Sequence, residues 1–271
     1  MISYYQIQRL ASKRRIPENV IEKDYFIELL LSYLGRNNLF RKMVIFRGGT
    51  SLKKMYFPDY RFSEDLDFVI SDDESLDSMN AVIENILKEI STDFPFIPSK
   101  ISNIQDKRFQ AFINYDIVPE IRSKKELKID ILTDNKIPSY ADREMIFTYQ
   151  DIIAKNVSLK TYDLESIAAD KILRIMDVDK EARDIFDLWY LIRLDYLKID
   201  KLMYQLKKKT GFVPHFKNLV KDIESDVYRK TWKIRLGQQI LDLPPYESIL
   251  EDLKILIEKK LINITGIRKF H

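Results

Sequence analysis

Strand-like and helix-like patterns occupy separate parts of this sequence, and that separation limits the folds it can adopt. Short apolar or alternating segments, typical of β-strands, lie before about residue 155, as in MVIF (Met43–Phe46), DLDFVI (Asp65–Ile70) and LKIDIL (Leu127–Leu132). Beyond residue 160 the apolar residues recur at helical spacing, as in ESIAADKILRI and ARDIFDLWYLI. We therefore predict an α+β protein, with a small mixed β-sheet and flanking helices followed by a helical C-terminal bundle.

The two patterns also predict two regions. The first, 1–158, contains N-terminal helices over 3–34, with Pro17 in the first turn of one helix, and then the sheet. The second, 159–271, is predicted to be helical to the C-terminus. Because the chain has only 6 glycines and no Ser/Gly/Pro-rich linker, we expect a tight boundary between the regions.

The composition excludes several classes of chemistry. With no cysteine, the chain has no disulfide, thiolate nucleophile, zinc ribbon or iron–sulfur cluster. It has only 2 histidines, so acid–base chemistry would depend on carboxylates and lysines. The N-terminus has no secretory h-region, and no apolar run is long enough to span a membrane. We expect a soluble, cytoplasmic protein without a membrane partner.

A glycine pair follows the first predicted strand. Gly48 and Gly49 come one residue after MVIF, which indicates a buried strand entering a tight turn. Glycine allows the main chain to approach a ligand closely, and the following Thr50 and Ser51 offer N–H and hydroxyl groups to phosphate oxygens. A Gly-Gly turn alone is most often an ordinary turn, so phosphate binding requires support from other residues.

Two acidic residues supply that support. In DLDFVI, Asp65 and Asp67 point to one side of the strand while Leu66 and Phe68 point to the other. Two carboxylates that converge in this way repel each other unless a cation lies between them. Oxygen ligands without His or Cys suit Mg²⁺. The alternative is a solvated group of acids, but such groups seldom run directly into an apolar strand.

A third carboxylate lies on a later strand. Asp130 is flanked by Ile129 and Ile131, and Lys128 shares its face. An unpaired buried acid is costly, so Asp130 either has a cationic partner or joins the metal site. Three acids with one or two Mg²⁺ ions are typical of phosphoryl or nucleotidyl transfer.

The positive charge is concentrated in one segment. Leu197–Arg235 contains eleven Lys/Arg against four acids, whereas the net charge of the whole chain is +3. The segment is either a solvated helical face or a surface that binds a phosphate backbone. Tyr204, Phe212, Tyr228 and Trp232 lie among these charges and could stack on unpaired bases or pack in the core.

These motifs together resemble a known family. GGTSLKKMY and RFSEDLDF, with AADKILRI and RDIFDLWYL downstream, are similar to the AbiEii/MenT family of nucleotidyltransferase toxins of bacterial toxin–antitoxin and abortive-infection systems. That family lies within the DNA polymerase β-like nucleotidyltransferase superfamily. The likeness covers about residues 20–195. It implies that residues 1–158 include a nucleotidyltransferase core, which transfers a nucleoside monophosphate (NMP) from an NTP and releases pyrophosphate.

The resemblance also implies partners and site residues. The acceptor would be the 3′ end of tRNA, which would block translation, and a cognate AbiEi-like antitoxin would be a partner. We would place the tRNA on the basic segment. Nucleotide phosphates would be held by Gly48, Gly49, Thr50 and Ser51. Mg²⁺ would be held by Asp65 and Asp67, with Asp130 as the third carboxylate, which helps to deprotonate the acceptor.

Three further residues correspond to positions in the family motifs. Lys171 matches a helical lysine that contacts the triphosphate, and Asp184 matches the acid after an arginine in the last motif. From spacing alone, Lys171 lies beside an apolar stripe and could extend to solvent, while Asp184 could be an ion-pair partner. Ser63 matches a hydroxyl that an antitoxin can phosphorylate in related toxins, and is a hypothetical regulatory site.

Two other functions stay open at this point. The enzyme could modify a small molecule or a protein, which would consume nucleotide without labelling RNA. Alternatively, the chain could be a nucleic-acid-binding module that has lost the reaction. The presence of both Asp65 and Asp67 argues against that second alternative.

Overall fold

The computed structural model describes residues 1–72, 74–96, 98–152 and 156–263. The chain divides into two compact units, Met1–Thr161 and Tyr162–His271. The mixed sheet and the helical bundle that follows it confirm the predicted α+β class. Each helix in the described ranges is too short or too polar to cross a lipid bilayer.

Helices of the first unit flank the sheet. They are α1 (Tyr4–Arg14), α2 (Glu18–Arg36), α3 (Asn38–Met43), α4 (Gly48–Ser51) and α5 (Leu76–Asp93), with a π-helical turn over Leu52–Tyr56. The start of α1 is fixed by a capping box, in which Ser3 and Gln6 exchange side-chain-to-backbone hydrogen bonds. Nearly all of α2 is buried, which explains its apolar stretch from Phe26 to Leu31, interrupted only by Glu28.

Seven strands form the mixed sheet. They are β1 (Ile45–Arg47), β2 (Asp65–Ser71), β3 (Ser99–Gln105), β4 (Arg108–Asn114), β5 (Glu126–Asp134), β6 (Tyr140–Glu144) and β7 (Ser158–Tyr162). Their spatial order is β3-β4-β5-β2-β1-β7-β6. β2 is parallel to β5 and antiparallel to β1, and β4 is antiparallel to both β3 and β5.

The central strands have one apolar face and one polar face. Leu66 and Phe68 of β2 and Ile131 of β5 are fully buried in the core. Phe40 of α3 contacts Phe68 edge-on, with ring centroids 5.1 Å apart, so the helices cover this face. Since side chains alternate along a strand, the polar residues between these positions point to the opposite face.

The second unit is helical. Its elements are α6 (Leu164–Met176), α7 (Ala182–Arg193), α8 (Ile199–Thr210), α9 (Phe216–Asp222), α10 (Asp226–Leu236), α11 (Tyr246–Ile257) and a π-helical turn over Glu258–Ile262. Gly211 ends α8 in the left-handed conformation, with φ +86°, which favours glycine. The predicted helix beyond Asn263 lies outside the described residues.

The observed elements differ from the predicted ones in three places. β6 and β7 were not predicted, because β6 is short and exposed and β7 has only five residues. In MVIF, α3 includes Met43, and the strand begins at Ile45. The tight turn expected at Gly48 and Gly49 is itself the start of a short helix, α4, because Gly48 makes the turn from β1 directly into it.

Candidate active site

The glycine bend lies directly against one of the predicted carboxylates. Gly48 has φ +80°, a backbone conformation that favours glycine. A Cβ atom placed on Gly48 would lie 2.5 Å from Asp67 Oδ2 and 3.2 Å from Asp67 Cβ. Only a residue without a side chain therefore allows this contact. The structure thus brings the bend and Asp67 together on adjacent strands, where Arg47 is in register with Asp67.

Hydroxyl groups fasten the bend to the start of β2. Thr50 Oγ1 is hydrogen-bonded to Ser63 Oγ at 2.6 Å and to the main-chain carbonyl of Asp65. Ser51 Oγ donates to the Gly48 carbonyl at 2.8 Å. Because all three hydroxyl-bearing side chains are buried, they position the bend, and the Gly48 main chain is the part that approaches Asp67.

Asp65 and Asp67 share the polar face of β2, and both are partly exposed. A cation from outside the sheet, Lys23, interacts with Asp65. Burial lowers the pKa of the Lys23 ammonium on α2, and the negative charges of Glu64 and Asp65 oppose that shift. Sequence reasoning missed Lys23, because no local pattern indicates which residue of α2 faces β2.

The structure places Asp130 beside Asp67 in a parallel register, with their Cα atoms paired across β5 and β2. Arg108 Nε lies 2.7 Å from Asp130 Oδ1, Arg108 Nη2 contacts Oδ2, and Lys128 Nζ lies 2.9 Å from Oδ2. Burial would raise the pKa of Asp130, but hydrogen bonds from these two cations outweigh it, so the pKa lies below its usual value. Asp130 therefore has cationic partners, one of the alternatives that the sequence left open.

The donor set fits a divalent cation in part. Asp65 and Asp67 offer carboxylate oxygens on one strand face beside a bend without a Cβ, which suits Mg²⁺. Within the described residues, however, no group of three or more acidic, His or Cys side chains is arranged to hold a metal. Asp130, the third predicted carboxylate, is bound by Arg108 and Lys128.

Lys171 and Asp184 form a cluster within the second unit. Lys171 Nζ on α6 lies 2.7 Å from Asp184 Oδ1 and 2.8 Å from Asp187 Oδ2, both on α7. Arg174 Nε lies 2.9 Å from Asp184 Oδ2. Asp184 is thus an ion-pair partner of Lys171. Asp187 was missed, although its position three residues after Asp184 places both on one helix face.

The aromatic residues of the basic segment separate into two groups. Tyr228 and Trp232 belong to the core, where Trp232 Nε1 donates to the Pro244 carbonyl at 2.9 Å. Tyr204 and Phe212 are about three-fifths exposed, at 61% and 62%. Only this second pair is available for stacking on a ligand.

Known proteins match this chain in family and in fold. The family model described as nucleotidyl transferase AbiEii toxin, type IV toxin–antitoxin system, matches residues 29–254. Among solved structures, the chain is similar to MenT4, a nucleotidyltransferase toxin from Mycobacterium tuberculosis H37Rv. The TM-score is 0.64 at 17% sequence identity, over 95% of this chain and 90% of that chain, so this likeness concerns the fold. The search of curated proteins gave no match.

Proposed function

This chain belongs to the AbiEii family of nucleotidyltransferase toxins of type IV toxin–antitoxin systems, and from that premise we propose its reaction. The protein transfers an NMP group from an NTP, with Mg²⁺, to the 3′-terminal hydroxyl of tRNA. Aminoacylation requires that hydroxyl, so the modification blocks translation. We place the reaction in the cytoplasm, in defence against phage by abortive infection and under control of a cognate antitoxin.

One observation supports this proposal most directly. The Gly48 main chain lies so close to Asp67 that only glycine fits at position 48. Asp65 shares the strand face of Asp67. Phosphates bound along the Gly48–Gly49 main chain would therefore lie next to two carboxylates. That juxtaposition is what the transfer of a charged phosphoryl group needs.

The residues of this face have different roles in the proposed reaction. Asp65 and Asp67 would hold Mg²⁺, which supplies charge neutralisation at the phosphates when bound. The main chain of the bend, fixed by Thr50, orients the nucleotide. The acceptor oxygen forms a bond to the α-phosphorus, the bond from the α-phosphorus to the bridging oxygen breaks, and pyrophosphate leaves. The proton of the hydroxyl passes to water.

Lys171 and Asp184 enter the proposal as residues required for turnover, on the family likeness of their motifs. The ion pair between them supports a positioning role for Asp184, because a lysine held at 2.7 Å keeps its charge in a defined place.

The acceptor is proposed to bind the exposed face of α8. Lys201, Lys207 and Lys208 surround the exposed ring of Tyr204 at helical spacing, and Phe212 follows in the next turn of chain. Lysines neutralise a phosphate backbone and aromatic rings stack on unpaired bases, as in the 3′ end of tRNA.

The acceptor surface is tested by RNA binding. Tyr204→Ala should weaken binding of an unpaired RNA by about fivefold or more, since stacking contributes about 1–3 kcal/mol per base. Tyr5→Ala, which removes an even more exposed tyrosine from α1, is the matched control. Equal affinities of both variants and the natural protein would exclude this surface.

The reaction itself is tested by incubating the protein with each α-labelled NTP and total RNA, with and without Mg²⁺. We expect label in tRNA only with Mg²⁺, and a loss of at least about a thousandfold in Asp65→Ala and Asp67→Ala. Asp72→Ala, which removes an exposed acid just beyond β2, should keep activity.

Other outcomes would replace the proposal. Label in protein or a small molecule, with none in RNA, would identify a different acceptor. RNA binding without nucleotide turnover would identify a nucleic-acid-binding module. Incorporation that persists in Asp67→Ala would exclude this face as the active site.

We also propose Ser63 as the regulatory position. A phosphate there would place about two negative charges beside Asp65 and oppose NTP binding. The hydroxyl is buried against Thr50, so modification requires this hydrogen bond to open. We expect Ser63→Glu to be inactive and Ser63→Ala to be active, measured by NTP incorporation and by melting of each variant. Full activity of Ser63→Glu would exclude regulation at this position.

A further inference from the structure

We propose that Arg108 and Lys128 form a phosphate-binding cation pair beside Asp65 and Asp67, and that Asp130 anchors this pair instead of serving as a third metal ligand. The inference rests on the proposed nucleotide-binding role of this face of the sheet. It assigns a ligand class, a phosphate group, to residues that the sequence motifs do not include.

The contacts of Asp130 show how the pair is held. Arg108 binds the carboxylate through two nitrogens, with Nε 2.7 Å from Oδ1, and Lys128 Nζ lies 2.9 Å from Oδ2. The Asp130 side chain is 8% exposed. A carboxylate buried to this extent requires cationic partners, and a two-nitrogen contact fixes the plane of the guanidinium. Asp130 therefore sets the position of both cations.

The cations themselves extend toward solvent. The Arg108 side chain is 48% exposed and that of Lys128 is 32% exposed. The amide of Gln110 lies between them, and with its oxygen turned toward the cations it accepts from Lys128 Nζ at 3.0 Å and from Arg108 Nη2 at 3.1 Å. A guanidinium has five N–H groups, of which Asp130 needs two, so Arg108 has donors for a further anion.

The register of the strands places this pair next to the proposed nucleotide site. Lys128 on β5 is in register with Asp65 on β2, and Asp130 is in register with Asp67. Adjacent strands are about 4.8 Å apart. The order β4-β5-β2-β1 puts Arg108 on one side of the Asp65–Asp67 strand and the glycine bend on the other. A ligand with several phosphates could therefore contact both.

The same contacts argue against metal binding by Asp130. Both oxygens of Asp130 already accept hydrogen bonds from cations, which draw electron density from the lone pairs that a metal ion would use. A divalent ion placed there would also lie next to the positive charges of Arg108 and Lys128. The described residues contain no three-carboxylate cluster that would compensate for this repulsion.

Equilibrium binding tests the cation pair, with a non-hydrolysable NTP analogue and a short unpaired RNA as separate probes. Arg108→Gln and Lys128→Gln should each weaken at least one probe by about tenfold, the loss expected for a charge-assisted hydrogen bond. The weakened probe identifies the source of the phosphate, nucleotide or acceptor. Lys107→Gln removes a neighbouring lysine that pairs with Asp72 at 2.6 Å, and should change neither.

Affinities for both probes within about twofold of the natural protein, in both cation variants, would overturn the proposal. Since binding needs no turnover, a protein that incorporates no nucleotide but loses phosphate affinity in Arg108→Gln would retain this inference and lose the proposed function. Melting curves exclude unfolding as the cause, and Arg108→Lys, which keeps the charge without the two-nitrogen contact, should show a smaller loss.

Binding of Mn²⁺, followed by its paramagnetic resonance, tests the anchor role. Asp67→Asn should weaken Mn²⁺ by about tenfold, whereas Asp130→Asn should leave it within about twofold. An equal loss in both variants would make Asp130 a metal ligand and the proposal wrong. If Asp130→Asn does not fold, the two cation variants decide the question.

Discussion

Two buried lysines, one in each unit, are each bound by two carboxylates, yet only one is fully enclosed. Lys54 in the first unit and both of its acids are almost completely buried. Lys171 in the second unit lies beside Arg174, whose side chain is more than half exposed. Charges with the same local pairing can therefore have different roles, depending on whether the cluster reaches solvent.

The Lys54 cluster joins three parts of the first unit. Lys54, in the π-helical turn after the glycine bend, lies 3.0 Å from Asp24 and 2.8 Å from Glu28 of α2. Glu28 also accepts the N–H groups of Thr148 and Tyr149 at 2.7 and 2.9 Å. Because all three charged side chains are at most 1% exposed, this cluster holds the bend against α2.

The Lys171 cluster contains a second cation and is balanced in charge. Lys171 and Arg174 oppose Asp184 and Asp187, and Arg174 remains in contact with Asp184 when Lys171 is removed. The loss of Lys171 therefore leaves one acid neutralised. Loss of Lys171 would still leave the fully buried Asp187 without this cation, so Lys171 also contributes to stability, but less than Lys54 because its cluster keeps a second cation.

Replacement of Lys54 has the largest expected effect. Lys54→Met leaves Asp24 and Glu28 buried without their cation, which should lower the free energy of unfolding by about 3–5 kcal/mol. Urea denaturation of the full chain measures this loss. A loss below about 1 kcal/mol would remove the distinction between the two lysines.

The neighbouring Lys53 allows the effect of burial on a lysine to be tested by the pH dependence of stability. Burial lowers the pKa of Lys53 to about 8, whereas Asp24 and Glu28 outweigh burial and raise the pKa of Lys54. Between pH 8 and the unfolded value of 10.5, unfolded Lys53 holds a proton that the folded form has lost, so stability gains with rising pH.

Relative to Lys53→Met, the natural protein should therefore gain up to about 3 kcal/mol of unfolding free energy between about pH 7.5 and about pH 10. Urea titrations of both proteins at each pH measure the difference. A difference independent of pH would show that Lys53 stays charged in the fold.

Replacement of Lys171 separates function from stability. We expect Lys171→Met to lower NTP incorporation by about a hundredfold or more, with a loss of stability of roughly 2 kcal/mol or less, because Arg174 still neutralises Asp184. Incorporation assays and melting curves on the same preparation give both values. Full activity in a folded variant would exclude a catalytic role for Lys171.

Arg174 gives the smallest expected effect. Its side chain is more than half exposed, so Arg174→Gln should cost less than about 1 kcal/mol of stability. Incorporation should fall by less than about tenfold, because Lys171 keeps both of its acids. Urea denaturation and incorporation rates measure these changes. A loss as large as that of Lys171→Met would mean that Arg174, and not Lys171, is the functional cation.

Local periodicity accounts for what the sequence predicted well. Alternation along β2 placed Asp65 and Asp67 on one face, and the apolar neighbours of Asp130 placed it on a strand of the same sheet. The same kind of pattern could have assigned Tyr228 and Trp232 to the core, because they recur with Leu236 every four residues on α10.

Contacts between segments far apart in the chain account for the features that the sequence-based prediction missed. Arg108 reaches Asp130 only because β4 pairs with β5 in one particular register, which no spacing in the chain specifies. Lys53 and Lys54 form a charged pair typical of a surface, yet both are buried. Lys54 is paired with acids of α2 that lie about thirty residues earlier, and Lys53 Nζ donates to the carbonyls of Pro58 and Tyr60. β6 was missed because an exposed edge strand has no apolar alternation.

The contact between Gly48 and Asp67 has a consequence for how this protein can change by mutation. A glycine codon cannot mutate to any other amino acid without adding a Cβ atom, and at position 48 that atom would overlap a carboxylate oxygen. In a bacterial culture that selects against toxicity, escape mutants should therefore accumulate at the codon for Gly48. They should be rarer at the codon for Gly211, where a new Cβ has nothing within 4 Å and causes only backbone strain.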